Sequence, residues 1–72
     1  RLIIMEEFVI NGEYITISAL LKVLGIIQSG GEAKSFLLEN KVLLDDIEII
    51  ERRKKIYPNS IVTVNHKRIY LK

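Results

Sequence analysis

Twenty-seven of the 72 residues are Ile, Leu or Val, and none is Cys. A chain this short buries only about 60 % of its unfolded surface. Those aliphatic side chains must therefore meet in one core, with no disulfide or thiolate metal site to help. This composition argues against intrinsic disorder, because disordered chains are poor in such residues. We expect a single domain over residues 1–72, with Met5 a candidate start and residues 1–4 an extension or a non-native remnant. Arg1–Ile4 is too short to be the apolar part of a signal peptide. No uncharged apolar stretch approaches the ~20 residues of a membrane span. Together with the lack of Cys, this makes a cytoplasmic location the expectation.

Local signals divide the chain into short elements. Phe8–Ile15 reads as a β-hairpin, because Asn11-Gly12 between two apolar runs suits a two-residue turn with positive φ. Thr16 to Gly25 reads as a helix. Leu20, Leu21, Val23, Leu24 and Ile27 supply an apolar stripe, Thr16 or Ser18 a cap, and Gly25 a left-handed stop. A second helix is expected from Ser29 to about Asn40. Ser29 and Glu32 would form its capping box, and Ala33, Phe36, Leu37 and Asn40 share one face. If the helix continued to Lys41, that lysine would lie about 20° around the axis from Lys34 at ~100° per residue.

Val42–Leu44 reads as a strand entering a turn at Asp45-Asp46. Ile47–Ile50 is strand by composition and loop by position. Arg52–Lys55 is a basic connector, and Tyr57–Ser60 is a turn favoured by Pro58. Ile61–Val64 and Lys67–Leu71 form a hairpin closed by Asn65-His66. Strands, two helices, then strands make an α+β fold: a helix pair packed on one face of a small antiparallel sheet.

The charge is unevenly placed. Residues 1–51 hold four bases and all nine acids, a net −5; residues 52–72 hold seven bases and no acid, a net +7, which recovers the overall +2. Such asymmetry fits a polyanionic partner, or two halves that neutralise each other across the fold.

Candidate catalytic groups are sparse. His66 is the lone imidazole, in an expected turn with no carboxylate in its segment. Asp45-Asp46 is better explained by turn chemistry than by acid–base work, and it offers too few oxygens for a hard cation. We expect no enzyme, no metal, no other cofactor and no small-molecule substrate. Ser29-Gly30-Gly31 ahead of a helix could cradle a phosphate, although Glu32 would repel one there. Arg52-Arg53-Lys54-Lys55 is the sharper signal, since several of these cations could meet one phosphate backbone. Tyr14, Tyr57 and Tyr70 could stack on bases, but cross-strand packing is the expected fate of Tyr14 and Tyr70.

The stretch Leu20–Leu37, with its Gln-Ser-Gly-Gly-x-Ala-Lys-x-Phe-Leu core, resembles the helix pair of the S-four RNA-binding domain, also called the alpha-L RNA-binding motif. Its form is most similar to the short stand-alone bacterial YaaA-like proteins. Val42–Asp46 and Arg52–Ile56 follow in the order that this group shows, so the resemblance covers roughly two thirds of the chain. It implies RNA binding, often to ribosomal RNA, through the second helix and the basic loop after it. Ser29, Lys34, Arg52 and Lys55 match the motif. Three positions depart from it: Gly30 stands where many members have Arg, Asp45-Asp46 replaces the usual Asn-Gly turn, and Asn59-Ser60 replaces Gly-Asp.

The expected function is therefore binding of structured RNA, ribosomal RNA or a ribosome precursor, through phosphate and shape contacts. The expected contact residues are Ser29, Gly30, Gly31, Lys34, Lys41, Arg52, Arg53, Lys54 and Lys55. The alternative is a protein-interaction module that pairs a partner with an exposed edge strand, Lys67–Leu71.

Overall fold

The computed structural model describes residues 4–72; residues 1–3 of the suspected N-terminal extension lie outside the described residues. Seven strands and two helices follow in the order β1 (Ile4–Phe8), β2 (Ile15–Thr16), α1 (Ile17–Val23), α2 (Glu32–Glu39), β3 (Val42–Leu44), β4 (Ile47–Glu48), β5 (Lys55–Ile56), β6 (Ser60–Val64) and β7 (Lys67–Leu71). The main sheet runs β1-β7-β6-β3-β4, and β2 pairs separately with β5. The fold is α+β, as expected, with one difference at the edge of the sheet. From β7 to β4 every pairing is antiparallel, but β1 lies parallel to β7, Ile4 opposite Lys67 and Phe8 opposite Leu71.

Period-two burial explains the sheet. Val62, Val64, Ile69 and Leu71 alternate with less buried residues along β6 and β7, and Val42 lies opposite Val64. One face is thus apolar and the other is wet, as antiparallel sheets allow. The apolar face shares one cluster with Ile17, Leu20 and Leu21 of α1, Ala33 and Leu37 of α2, and Ile56 of β5. Phe36 packs against the same cluster.

The helix ends follow their sequence signals unevenly. Thr16 caps α1, its Oγ1 accepting from the Ala19 N–H at 3.3 Å. At the other end Gly25 has φ 78°, its N–H donating to the Lys22 carbonyl and that of Ile26 to the Leu21 carbonyl. These two bonds are a Schellman stop. Val23, placed on the apolar stripe by sequence, is 60 % exposed. At ~100° per residue it lies about 110° from the face that Ile17, Leu20 and Leu21 bury, and so points to solvent. The capping box at α2 does not form as expected. Gly31 is the cap and no side chain bonds there, while the Glu32 carboxylate accepts from the Gln28 N–H at 2.8 Å, one residue before Ser29.

The expected hairpin at Asn11-Gly12 is absent. Only Gly12 has positive φ there, at 120°, whereas a type I′ turn needs it at both positions. The flanking runs find better partners far away. Phe8 continues along β7, with the Lys72 N–H donating to the Phe8 carbonyl and the Ile10 N–H to the Lys72 carbonyl, both at 2.9 Å. Ile15 pairs with Ile56. The same arrangement removes the proposed edge strand: Lys67–Leu71 lies between β1 and β6 and is not a free edge. Two-residue positive-φ geometry occurs instead at Asp45 (51°) and Asp46 (72°), which join β3 to β4. Asp45 also accepts from the Ile61 N–H through Oδ1 at 3.0 Å. Asn59 (73°) and Asn65 (55°) serve the turns before β6 and before β7.

Glycine is the residue best suited to positive φ. Replacing either turn aspartate by Gly removes the same charge and the same backbone strain, but only Asp45→Gly loses the bond to Ile61. Urea unfolding should therefore find Asp45→Gly less stable than Asp46→Gly by about 1 kcal/mol. Ile56 is fully buried although it sits on a two-residue strand. Ile56→Ala should cost about 3 kcal/mol in the same measurement; a cost under about 1 kcal/mol would show that the small sheet is not part of the cooperative core.

Candidate nucleic-acid interface

The basic run is fixed by its backbone, which leaves its side chains free. Residues 52 and 53 turn the chain, and the Lys54 N–H donates to the Glu51 carbonyl at 3.2 Å. The Lys54 carbonyl then accepts from the Ile17 N–H at 2.9 Å, and the Arg52 carbonyl from the Ser18 N–H at 3.1 Å. Those amides are the first two of α1, which have no partner within the helix. The connector thus caps α1 from a distance of more than thirty positions in the chain. Arg53, Lys54 and Lys55 are exposed and Arg52 is half-buried. Among the described residues none of the four enters an ion pair.

The remaining bases divide into paired and unpaired groups. Lys67 meets Glu6 at 3.1 Å and Lys72 meets Glu7 at 2.8 Å. The hydrogen bond from Lys72 to the Glu7 carboxylate and the nearby negative charge raise the ammonium pKa above its ordinary value. Part of the positive half is therefore neutralised by the negative half, and this happens where β1 joins β7. Lys22, Lys34, Lys41 and Arg68 join the 52–55 run as cations without an ion pair among the described residues.

The other expected contacts lie in different neighbourhoods. Lys34 is exposed on the first turn of α2. Lys41 is not on that helix. Asn40 ends it in extended conformation (φ −129°, ψ 151°), so the helical angle expected between the two lysines does not apply. The Lys41 carbonyl accepts from the Asn65 N–H at 3.1 Å, placing this lysine beside the β6–β7 turn. Ser29, Gly30 and Gly31 are exposed ahead of α2. The carbonyls of Ser29 and Gly30 accept from Glu32 and Ala33, while no hydrogen bond among the described residues engages the amides of Gly30 and Gly31.

The structure brings together one set that the sequence had separated. Tyr14 precedes β2 and Tyr57 follows β5, and Ile15 opposite Ile56 sets the two tyrosines side by side, centroids 5.8 Å apart and planes tilted by 51°. Lys55 Nζ lies 4.9 Å from the Tyr14 ring centroid. Tyr14 is packed across the strands, as expected, yet it remains open to solvent. The alternation of Tyr14-Ile15 against Ile56-Tyr57 carries this pattern, but it is readable only once the two segments are known to pair. Tyr70 serves the fold, because its hydroxyl donates to Asn59 Oδ1 at 3.0 Å and braces the turn before β6. His66 is exposed in its turn. Among the described residues no group of three or more His, Cys, Asp or Glu could hold a metal ion, and no helix is long and apolar enough to cross a membrane.

Comparison with known proteins identifies the family. The family model described as the S4 domain matches residues 8–72. A curated relative, the probable ribosome maturation protein RlbA of Bacillus subtilis (strain 168), is 42 % identical over 55 residues, covering 76 % of this chain and 78 % of the relative. The family match takes in both helices, the unpaired basic run and all seven strands except most of β1. By the family match and the identity to this relative, the chain belongs to the S4 domain family.

Proposed function

We propose that this chain is a non-catalytic RNA-binding protein that recognises structured RNA of the ribosome or of a ribosome precursor, working in the cytoplasm. The observation that carries this proposal is the Arg52–Lys55 run, exposed for the most part, without acidic partners among the described residues, and displayed by a backbone tied to α1. Apart from Lys55 over the Tyr14 ring, the side chains of the run make no ion pair among the described residues that would account for it. Cations at the positive end of a helix are unfavourable, and α1 has no acid in its first turn to offset them. The family membership and the ribosome-maturation name of the Bacillus relative support the same conclusion.

Arg52, Arg53, Lys54 and Lys55 contact phosphates, and Lys34 on α2 and Lys41 beside the β6–β7 turn each add a separate phosphate contact. Ser29, Gly30 and Gly31 provide backbone donors ahead of α2. Duplex RNA is read mainly by shape and backbone, which suits a surface dominated by lysine and arginine.

With three to five phosphate contacts, the logarithm of affinity should fall against log salt with a slope of about −2 to −4. Fluorescence anisotropy against bulk ribosomal RNA and a plain duplex measures it. Replacing Arg52, Lys54 and Lys55 together by Ala should flatten the slope by about 2 to 3. No binding to either RNA at low salt would overturn the proposal. Lys34→Glu should weaken RNA binding without unfolding the domain; unchanged affinity in the folded variant would remove Lys34 from the interface. Arg53→Gln should move two measurements in opposite directions. RNA affinity should fall, while thermal stability should stay level or rise by up to about 0.5 kcal/mol, because a cation leaves the positive end of α1.

A further inference from the structure

The outward face of the β2–β5 pair carries, besides Lys55, two exposed tyrosines that the phosphate contacts described above leave unused. Strand alternation sends Ile15 and Ile56 one way and Tyr14, Thr16, Lys55 and Tyr57 the other. Ile56 is fully buried, so the face bearing the tyrosines is the solvent face; Tyr14 is 40 % exposed and Tyr57 51 %. The two rings are held in place by strand register, with Lys55 above Tyr14. The segment that supplies Lys55 also supplies Arg53 and Lys54. Rigid exposed aromatic rings beside unpaired cations are what proteins use to hold unpaired nucleotides: bases stack on the rings and the cations follow the phosphates.

We propose that Tyr14 and Tyr57 form a stacking platform for an unpaired base next to the RNA helix gripped by the basic run, so that the preferred ligand is a junction of paired and unpaired RNA. This rests on the RNA-binding function proposed above and adds to it a class of ligand. In the free protein the Lys55 ammonium covers one face of Tyr14. When a base takes that face, the flexible lysine swings to the adjoining phosphate, and the cation–π contact is exchanged for an ion pair while the base replaces it on the ring.

Three RNAs test this against the full chain: a short blunt duplex, the same duplex with an unpaired adenosine tail, and the same duplex with an abasic tail of equal length. The abasic tail carries the added phosphates without bases. The adenosine tail should raise affinity about tenfold over the abasic tail, and it should quench the tyrosine fluorescence, which is readable because the chain has no Trp. Tyr14→Leu and Tyr57→Leu should erase the preference and leave duplex affinity unchanged; Tyr14→Phe should keep it. If the Leu variants do not fold, the wild-type preference and its quenching still decide the matter. Equal affinity for the two tails, with salt-dependent duplex binding intact, would overturn the platform and leave the RNA-binding function standing. Failure of all three RNAs to bind would remove both.

Discussion

Everything around α1 depends on a closure between residues 15–18 and residues 52–56. A helix of seven residues is too short to hold itself in water. Here its first two amides are taken by the carbonyls of Arg52 and Lys54, its cap is Thr16, and the strand residues on either side of the junction are paired in register. Ile56 enters the core at this point together with Ile17. The position of α1 then sets that of α2 through the Gly25 stop and the loop after it. The same backbone that closes the helix therefore decides where the basic side chains stand. Scaffold and display are one segment.

That sharing explains how a small chain with a modest net charge separates its cations into two uses. Lys67 and Lys72 act internally, against Glu6 and Glu7, where the first strand lies beside the last. Exposed pairs of this kind are worth little each, but they fall at a strand edge that no turn connects. The cations at 52–55 have no such counterpart among the described residues, and their position beside a helix start works slightly against stability. Apart from Lys55 over Tyr14, no ion pair in the described fold engages their charges, which is why we propose that they serve a ligand.

What could be read from the sequence was what local chemistry decides. Thr16 and Gly25 bracket α1 because a cap and a left-handed stop act within a few residues, and Asp45-Asp46 turns the chain because both aspartates accept positive φ. The 52–55 run stood out by charge alone. What could not be read were features decided at long range. Asn11-Gly12 carries the strongest hairpin signal, yet Phe8 and Ile15 are claimed by β7 and β5, whose pairing no local rule reports. Lys41 left the helix because Asn40 turned extended, which moved it away from the angle that periodicity assigned. The tyrosine pair was hidden for the same reason as the false hairpin: 43 positions separate Tyr14 from Tyr57, and only the β2–β5 register makes them neighbours.

The parallel contact of β1 with β7 also sets an order in time. Residues 4–8 are made well before residues 67–71, and parallel pairing across so long a loop incurs its closure entropy before any contact offsets it. The first strand must therefore wait, unpaired, while the helices and the β3-β4-β6-β7 sheet assemble among themselves. Its charge suits that wait: Glu6 and Glu7 make a lone strand a poor template for aggregation. The same two side chains that later pair with Lys67 and Lys72 at the edge keep the nascent segment from finding the wrong one.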